Sequence, residues 1–314
     1  MTGHQSPQLE NRLASQAALA AAIVGIPFDL GAPRRGSGLA TRAIRYAGLV
    51  RRLERLGVAV KDLGDVPVPD SPVPHSDLLR NLPAVAEAAE AAYHGAREAI
   101  REGAFSVFLG GDHSVAIGTI AGVSSVHAER AERLGLLWFD AHGDFNTADT
   151  TVSGHIHGMP FAVALGHGTP ELTRLGGFSP KVPAANAVLI GARDLDEAEE
   201  RLIAEAGVRV FRMTEIEARG IQAVMDEAIA IASDGTAGIH VSFDMDVVDP
   251  KEAPGVGSPA RHGMTAREAR LALAQLARTG LVRSLDMVEV DPLLDASNQS
   301  ARLAVDLIAA ALGR

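Results

Sequence analysis

Residues 134–146 read Leu-Gly-Leu-Leu-Trp-Phe-Asp-Ala-His-Gly-Asp-Phe-Asn, an apolar run that ends in three ionisable side chains. Residues 136–139 have the length and character of a buried strand. Asp140, His142 and Asp144 alternate just after it, and charges beside a buried strand are costly unless something compensates them. A divalent metal ion would do so, and carboxylates with an imidazole favour Mn²⁺ or a similar ion over structural zinc. Taken alone, the stretch is also compatible with an Asp-rich turn.

The composition is that of an ordinary globular protein. The chain has 314 residues, of which 47% are hydrophobic and 22% charged, enough for one large α/β domain. Cysteine is absent, which excludes disulfides and a cysteine nucleophile and agrees with a cytoplasmic location. A net charge of −10 argues against a nucleic-acid partner. We also expect no membrane partner, because no apolar run has the length of a membrane span and no secretory signal is present.

Eight short apolar segments alternate with helical stretches. The predicted strands are residues 20–24, 58–63, 105–109, 136–139, 187–190, 208–211, 238–243 and 282–288. This alternation predicts a single three-layer αβα domain with a mainly parallel, about eight-stranded sheet and helices on both faces. A (βα)₈ barrel is the competing architecture. We expect residues 18–314 to form the catalytic domain and residues 1–17 to be a flexible tail.

Four of the predicted strands end in ionisable residues. Those residues are His113, then Asp140, His142 and Asp144, then Asp244 and Asp246, and finally Glu289. Ligands bind outside the carboxyl ends of the strands in parallel α/β sheets, so these side chains are expected to converge. The four aspartates balance the charge of two divalent ions, and the two histidines complete a pair of metal sites.

Three of these strand ends lie in longer motifs. The motifs are Gly110-Gly111-Asp112-His113-Ser114, Asp140-Ala141-His142-Gly143-Asp144 and Ser242-Phe243-Asp244-Met245-Asp246. Together with Val288-Glu289-Val290, they resemble the arginase branch of the ureohydrolase superfamily, the arginases and agmatinases that use Mn²⁺ to release urea from guanidino compounds. The resemblance covers nearly the whole chain. It implies an arginase-like fold and, because relatives are commonly trimers or hexamers, a homotrimer or homohexamer.

The resemblance also implies roles for the strand-end residues. It places one Mn²⁺ between His113, Asp140, Asp144 and Asp244, and a second between Asp140, His142, Asp244 and Asp246. Asp140 and Asp244 would bridge the two ions, and a hydroxide shared by the ions would attack the guanidinium carbon. The catalytic residues implied are His157, Glu289 and Asp144. Glu289 matches the guanidinium anchor of the family and His157 its proton-shuttle histidine.

Further matches imply how a free amino acid is recognised. Asn146, Thr151 and Ser153 would bind the α-carboxylate of the substrate, while Asp196 and Glu199 would bind its α-ammonium group. A different interpretation of the same residues is that Asn146 and Ser153 cap turns and that Asp196 starts a helix.

The chain departs from the family at several positions, one of them in the substrate-facing loop. His155 stands where arginases usually have Asn, and Ser258 keeps the hydroxyl of the usual Thr. Both are expected to be substrate-binding residues. Arg261 and His262 fall in a stretch that is usually apolar, and Asp291 replaces an Asn. His155 is larger than Asn and can carry a positive charge, so it could strengthen carboxylate binding or select a different acid.

We therefore expect a dinuclear manganese hydrolase that converts L-arginine to L-ornithine and urea. The alternative is a ureohydrolase for another guanidino compound, such as agmatine, guanidinobutyrate or guanidinopropionate. A third hypothesis is a metal-stabilised protein without hydrolase activity. Glu289 and His157 speak against this third hypothesis, since pure metal binding needs neither residue.

Overall fold

A parallel β-sheet forms the centre of the protein. The computed structural model describes residues 19–72 and 79–314, so the tail predicted over residues 1–17 lies outside the described residues. The strands are β1 (Ala20–Gly25), β2 (Ala59–Asp65), β3 (Phe105–Leu109), β4 (Gly135–Phe139), β5 (Ala187–Ala192), β6 (Arg209–Arg212), β7 (Ile239–Asp244) and β8 (Val282–Val288). Their order is β2-β1-β3-β8-β7-β4-β5-β6, and all neighbours run parallel. The predicted parallel sheet is confirmed.

The sheet is open, and the competing barrel architecture is wrong. Strands β2 and β6 lie at its two ends and do not pair with each other. Both carry exposed charged residues, Lys61 and Asp62 on β2 and Arg212 on β6. Charged edge strands of this kind oppose further strand pairing, which keeps the sheet from closing.

Helices cover both faces of the sheet. They are α1 (Ala40–Tyr46), α2 (Leu49–Arg55), α3 (Leu82–Arg101), α4 (Ala116–Ala128), α5 (Pro160–Ala164), α6 (Pro170–Thr173), α7 (Glu197–Ala206), α8 (Met213–Arg219), α9 (Ile221–Ser233), α10 (Ala266–Thr279) and α11 (Gln299–Ala311). One buried cluster joins the sheet to α1, α2 and α8–α11, and a second joins its other face to α3, α4 and α5. This is the predicted three-layer arrangement. None of the described helices is long and apolar enough to cross a membrane.

Two helices predicted as continuous are broken at glycines. The spacing of apolar residues predicts one helix over residues 43–56 and another from residue 212 to residue 232. The structure instead divides the first at Gly48 (φ 96°) and the second at Gly220 (φ 79°). Only glycine adopts such positive φ values at little cost, so each glycine lets the chain turn between two helices. Apolar periodicity continues across both turns, which explains the error.

The strand order decides where the chemistry lies. Strands β3, β8, β7 and β4 are consecutive neighbours at the middle of the sheet, and β5 follows β4. The four strands that are followed by ionisable residues in the sequence are therefore adjacent, and they run in the same direction. Their carboxyl ends form one edge, at which the loops that follow them meet.

Candidate active site

The edge formed by β3, β8, β7 and β4 gathers the predicted ligands into one cluster. Asp140, Asp244 and Asp246 are buried, as is His113 on the loop after β3. The His142 side chain is 26% exposed to solvent and lines the cleft. Residues as much as 133 positions apart in the chain are thus brought together by strand order.

The first group of potential metal ligands is centred on His113. Its Nδ1 lies 3.2 Å from Asp140 Oδ2, 3.0 Å from Asp144 Oδ2 and 3.1 Å from Asp244 Oδ2. A divalent ion about 2.1 Å from two neighbouring donors holds those donors about 3 Å apart. His113, Asp140 and Asp244 together have the geometry of a metal-binding group.

The second group is centred on His142. Its Nδ1 lies 3.0 Å from Asp246 Oδ2 and 3.4 Å from Asp140 Oδ1. Asp140, His142 and Asp246 form a second potential metal-binding group, so Asp140 is common to both. Asp244 belongs by geometry to the first group only, and its bridging role stays a prediction.

The negative charges of this cluster favour the binding of a cation. Burial and the negative charge of Asp140 raise the pKa of Asp144 to about 7. Burial and the charges of Asp246 and Asp140 also hold the pKa of Asp244 well above its ordinary value. Carboxylates forced together in this way are stabilised by a bound cation, which removes the mutual repulsion. Oxygen donors combined with imidazole, without thiolate, suit Mn²⁺ and similar divalent ions.

Two site residues have an unusual backbone conformation. Asp144 has a φ of 48° and Glu289 a φ of 61°, which places both in the left-handed region. Residues other than glycine rarely adopt this conformation, which costs them on the order of 1 kcal/mol. The surrounding contacts hold both carboxylates in place towards the cleft in spite of this strain.

Glu289 and His157 form a pair beside the metal-binding groups. Glu289 Oε1 accepts a hydrogen bond from the backbone N–H of His113 at 2.8 Å and lies 3.4 Å from His157 Nδ1. Burial alone would lower the pKa of His157, but the Glu289 carboxylate raises that pKa to about 9. This shift favours the protonated form of His157 at neutral pH, which is the form that a proton donor needs.

A cleft of about 200 Å³ connects the potential metal ligands with the predicted substrate residues. Asn146, Glu199 and Ser258 line it together with Glu289 and His157. Its dimensions suit a small molecule, and nearly all of its lining residues are polar or charged. Thr151, Ser153, His155 and Asp196 were also predicted to bind substrate, but they are not part of the lining.

Asp196 starts a helix, as the alternative interpretation of the sequence holds. Its Oδ1 accepts a hydrogen bond from the backbone N–H of Glu199 at 2.9 Å, and Glu199 Oε2 accepts one in return from the Asp196 N–H, a capping box at the start of α7. Asp196 Oδ2 also accepts a hydrogen bond from Asn146 Nδ2 at 2.9 Å. The residues predicted for the two ends of the substrate therefore bind each other directly.

The loop that carries Thr151, Ser153 and His155 is held mainly by local hydrogen bonds. Thr151 Oγ1 accepts from the Gly154 N–H at 2.9 Å, and Ser153 Oγ accepts from the His155 N–H at 3.2 Å. His155 Nδ1 is buried and has no hydrogen-bond partner within the described residues. Burial and the nearby His157 and Arg80 lower the pKa of His155, which favours its neutral form.

The sequence alone did not single out several residues that support this site. Trp138 Nε1 donates to Asp140 Oδ2 at 2.9 Å. Asp286, within the apolar strand β8, accepts hydrogen bonds from Thr119 and Ser242 and contacts His240. An acid among the buried residues of a strand is a signal for such a partner, because a lone buried charge is costly. The position of Trp138, two residues before Asp140 on the same strand face, was a second usable signal.

Comparisons of the sequence and of the structure with known proteins agree on one protein family. The profile of the family described as "Arginase family" matches residues 19–313. The arginase of Bacillus caldovelox is 47% identical over 294 residues, which are 93% of this chain and 97% of that protein. Its crystal structure superimposes with a TM-score of 0.89 at 46% identity, over 94% of this chain and 99% of the other. An Entamoeba histolytica arginase in complex with L-ornithine has a TM-score of 0.84 at 27% identity, over 94% of this chain and 99% of that one.

Proposed function

The chain belongs to the arginase family, and from this premise we propose that it hydrolyses L-arginine to L-ornithine and urea. Water adds to the guanidinium carbon, the bond from that carbon to the side-chain nitrogen breaks, and the nitrogen leaves as an amine after protonation. The single observation that carries the proposal is the pair of buried ligand groups that share Asp140 beside Glu289 and His157. Metal binding alone requires neither Glu289 nor His157.

Two Mn²⁺ ions per subunit are the cofactors proposed for this site. His113, Asp140, Asp144 and Asp244 would hold one of them, and Asp140, His142, Asp244 and Asp246 the other. Ions bound there supply Lewis-acid chemistry and make water a nucleophile near neutral pH. The carboxylate charges and the donor spacing of about 3 Å support this assignment.

Glu289 orients the substrate in this proposal. A carboxylate accepts two parallel N–H bonds from a guanidinium group, which fixes the plane of the guanidinium and the position of its carbon. The hydrogen bond from the His113 N–H to Glu289 Oε1 holds the carboxylate next to the first ligand group. Surrounding contacts hold Glu289 at the cleft in spite of its strained φ, so little reorganisation is expected when substrate binds.

His157 supplies the proton that the leaving amine needs. It lines the cleft next to Glu289, and the Glu289 carboxylate stabilises its protonated form. A positioned general acid contributes about 10²–10⁴-fold to the rate of such a step. Protonation of the amine also prevents it from attacking the product again, because the ammonium form is not nucleophilic.

Recognition of the amino-acid part is assigned to the polar rim of the cleft. Asn146 and Ser258 line the cleft and offer neutral hydrogen-bond donors, and we assign the α-carboxylate to them with Thr151, Ser153 and His155. Asp196 and Glu199 would take the α-ammonium group. Because Asn146 and Asp196 bind each other, substrate binding would replace or share that hydrogen bond.

The proposal also includes a cytoplasmic location and a homotrimeric or homohexameric assembly. The absence of cysteine from the sequence supports the former. Size-exclusion chromatography with light scattering tests the latter. A monomer at micromolar concentration would contradict the proposed assembly, while leaving the proposed reaction untouched.

An isosteric change at the shared ligand tests the proposed function. Asp140→Asn keeps the shape of the side chain and removes the charge common to both metal-binding groups. We expect Mn²⁺-loaded wild-type protein to hold two ions per chain by elemental analysis and to release urea from L-arginine, and the variant to lose both properties. Asp149→Asn, on an exposed loop, is the matched control and should behave as wild type. Full activity and metal content in Asp140→Asn would contradict the proposal.

A further inference from the structure

Trp138 lies between two of the potential metal ligands. It is on β4, it is fully buried, and it is the only tryptophan of the 314-residue chain. Its indole ring stacks on His113 with ring centres 4.2 Å apart and planes 10° apart. Phe161 also stacks on the indole, with ring centres 4.9 Å apart and planes 16° apart. One rigid side chain therefore touches ligands that come from two different strand ends.

The indole also fixes the orientation of the shared carboxylate. Trp138 Nε1 donates a hydrogen bond to Asp140 Oδ2 at 2.9 Å, and the backbone N–H of His142 donates one to Asp140 Oδ1 at 2.8 Å. Each carboxylate oxygen thus has one N–H donor. Oδ2 faces His113 Nδ1 at 3.2 Å and Oδ1 faces His142 Nδ1 at 3.4 Å. The two donors set the rotation of the carboxylate so that each oxygen faces a different ligand group.

The chemistry of indole suits this task. An indole N–H only donates, so Trp138 cannot compete with Asp140 as a ligand. Each carboxylate oxygen has two lone pairs, and one remains for an ion when the other accepts the indole N–H. Burial of the whole contact excludes water, which would otherwise replace the donor. Stacking on the other ligand, His113, restricts the rotation of the imidazole as well.

We propose that Trp138 is a positioning residue for the two-metal site and that its indole N–H holds Asp140 in the orientation that serves both ions. The inference rests on the proposed function, since it assumes that divalent ions bind these groups. Outer partners of metal ligands typically change metal affinity by about 10–100-fold when they are removed. Loss of the indole N–H is expected to weaken Mn²⁺ binding within this range.

Two replacements separate the hydrogen bond from the packing. Trp138→Phe removes the N–H and part of the ring. Because the chain has one tryptophan, growth of a tryptophan auxotroph on β-(3-benzothienyl)alanine replaces that residue alone and puts sulfur in place of the N–H at nearly constant shape. Phe161→Leu is the matched control, because it alters the packing on the indole and removes neither partner of the hydrogen bond.

Calorimetric titration of chelator-stripped protein with Mn²⁺ gives the affinities, and thermal melting of the metal-free proteins checks the fold. We expect the benzothienyl protein and Trp138→Phe to bind the weaker ion about 10–100-fold less tightly, with Phe161→Leu within about threefold of wild type. Wild-type affinity in a folded benzothienyl protein would overturn the role of the N–H. Failure of wild-type protein to bind Mn²⁺ at all would instead overturn the proposed function.

Discussion

Replacement of Arg193 by lysine tests how the loops around the site are held. Arg193 follows β5, and its guanidinium donates five hydrogen bonds, all to backbone carbonyls. The acceptors are Gly191, Asp246, Val247, Ala260 and Arg261, at distances of 2.6 to 3.2 Å. One side chain therefore joins the end of β5, the segment of the ligand Asp246 and the loop that follows Ser258.

The magnitude follows from the number of hydrogen bonds. An arginine has five N–H donors in a fixed planar fork, whereas a lysine ammonium has three at one point. Arg193→Lys keeps the charge and loses at least two of the five hydrogen bonds. At about 1–2 kcal/mol for each lost bond, the free energy of unfolding falls by about 2–4 kcal/mol. For a protein of this size, 1 kcal/mol corresponds to about 1.5 °C, so the melting temperature falls by about 3–6 °C.

Differential scanning calorimetry of metal-loaded protein measures the shift, and a urea-release assay measures the effect on the site. We expect at least a tenfold loss of kcat/KM, because the backbone that carries Asp246 and the loop after Ser258 are no longer tied together. Arg283→Lys is the matched control, since Arg283 also donates to carbonyls but is exposed and remote from the cleft. A melting temperature within about 1 °C of wild type (about 0.7 kcal/mol) with full activity would refute this account of Arg193.

Three further predictions concern His157 and Asp196. His157→Asn lowers kcat on the order of 10²-fold in steady-state assays while elemental analysis finds unchanged metal content, and loss of metal would contradict the assignment of the proton donor. The same variant, in the metal-free protein, tests how the ionisation of His157 changes stability with pH. Because the pKa of His157 is raised from 6.5 to about 9, its stabilisation is fully present below pH 6.5 and is lost as the pH rises through 9. In denaturant titrations the free energy of unfolding of wild type should exceed that of the variant by on the order of 3 kcal/mol at pH 6 and by nearly nothing at pH 10. A constant difference would contradict the ion pair. Asp196→Asn keeps a helix-capping side chain and removes a charge, so KM for L-arginine should rise about tenfold at an unchanged melting temperature. An equal rise for 4-guanidinobutyrate, which has no α-ammonium group, would show that Asp196 acts on the fold instead.

The convergence of the site was predictable because it follows from topology. Once alternating strands and helices indicate a parallel sheet, residues at the carboxyl ends of strands must lie on one edge. His113, Asp140, Asp244 and Glu289 all obey this rule, and the order β3-β8-β7-β4 makes them neighbours. The strand order could not be predicted from the sequence, and the barrel architecture remained an alternative for that reason.

Contacts between loops that are distant in the sequence could not be predicted from it. The carbonyl acceptors of Arg193 come from three separate segments, and backbone carbonyls leave no mark on residue type. The hydrogen bond between Asn146 and Asp196 likewise depends on how two loops approach each other. Asp196 caps α7 and contacts Asn146 of the cleft lining, and its role in substrate binding stays a prediction.

The helix breaks illustrate a local limit of pattern analysis. Apolar spacing continues through Gly48 and Gly220, so periodicity alone predicts unbroken helices. A glycine within a helical pattern is tolerated at a cost of about 1 kcal/mol, and only its φ angle decides whether the chain turns. Both glycines have positive φ in the structure, and both helices end there.

The most direct test of the central claim is urea release by Mn²⁺-loaded protein from L-arginine, agmatine, 4-guanidinobutyrate and 3-guanidinopropionate under identical conditions. We expect a clear preference in kcat/KM for L-arginine, because the cleft offers groups for both the α-carboxylate and the α-ammonium next to Glu289. A preference for another compound would contradict the assigned substrate and direct attention to His155, Arg261 and His262. No urea from any of the four, with two ions bound per chain, would contradict the proposed reaction itself.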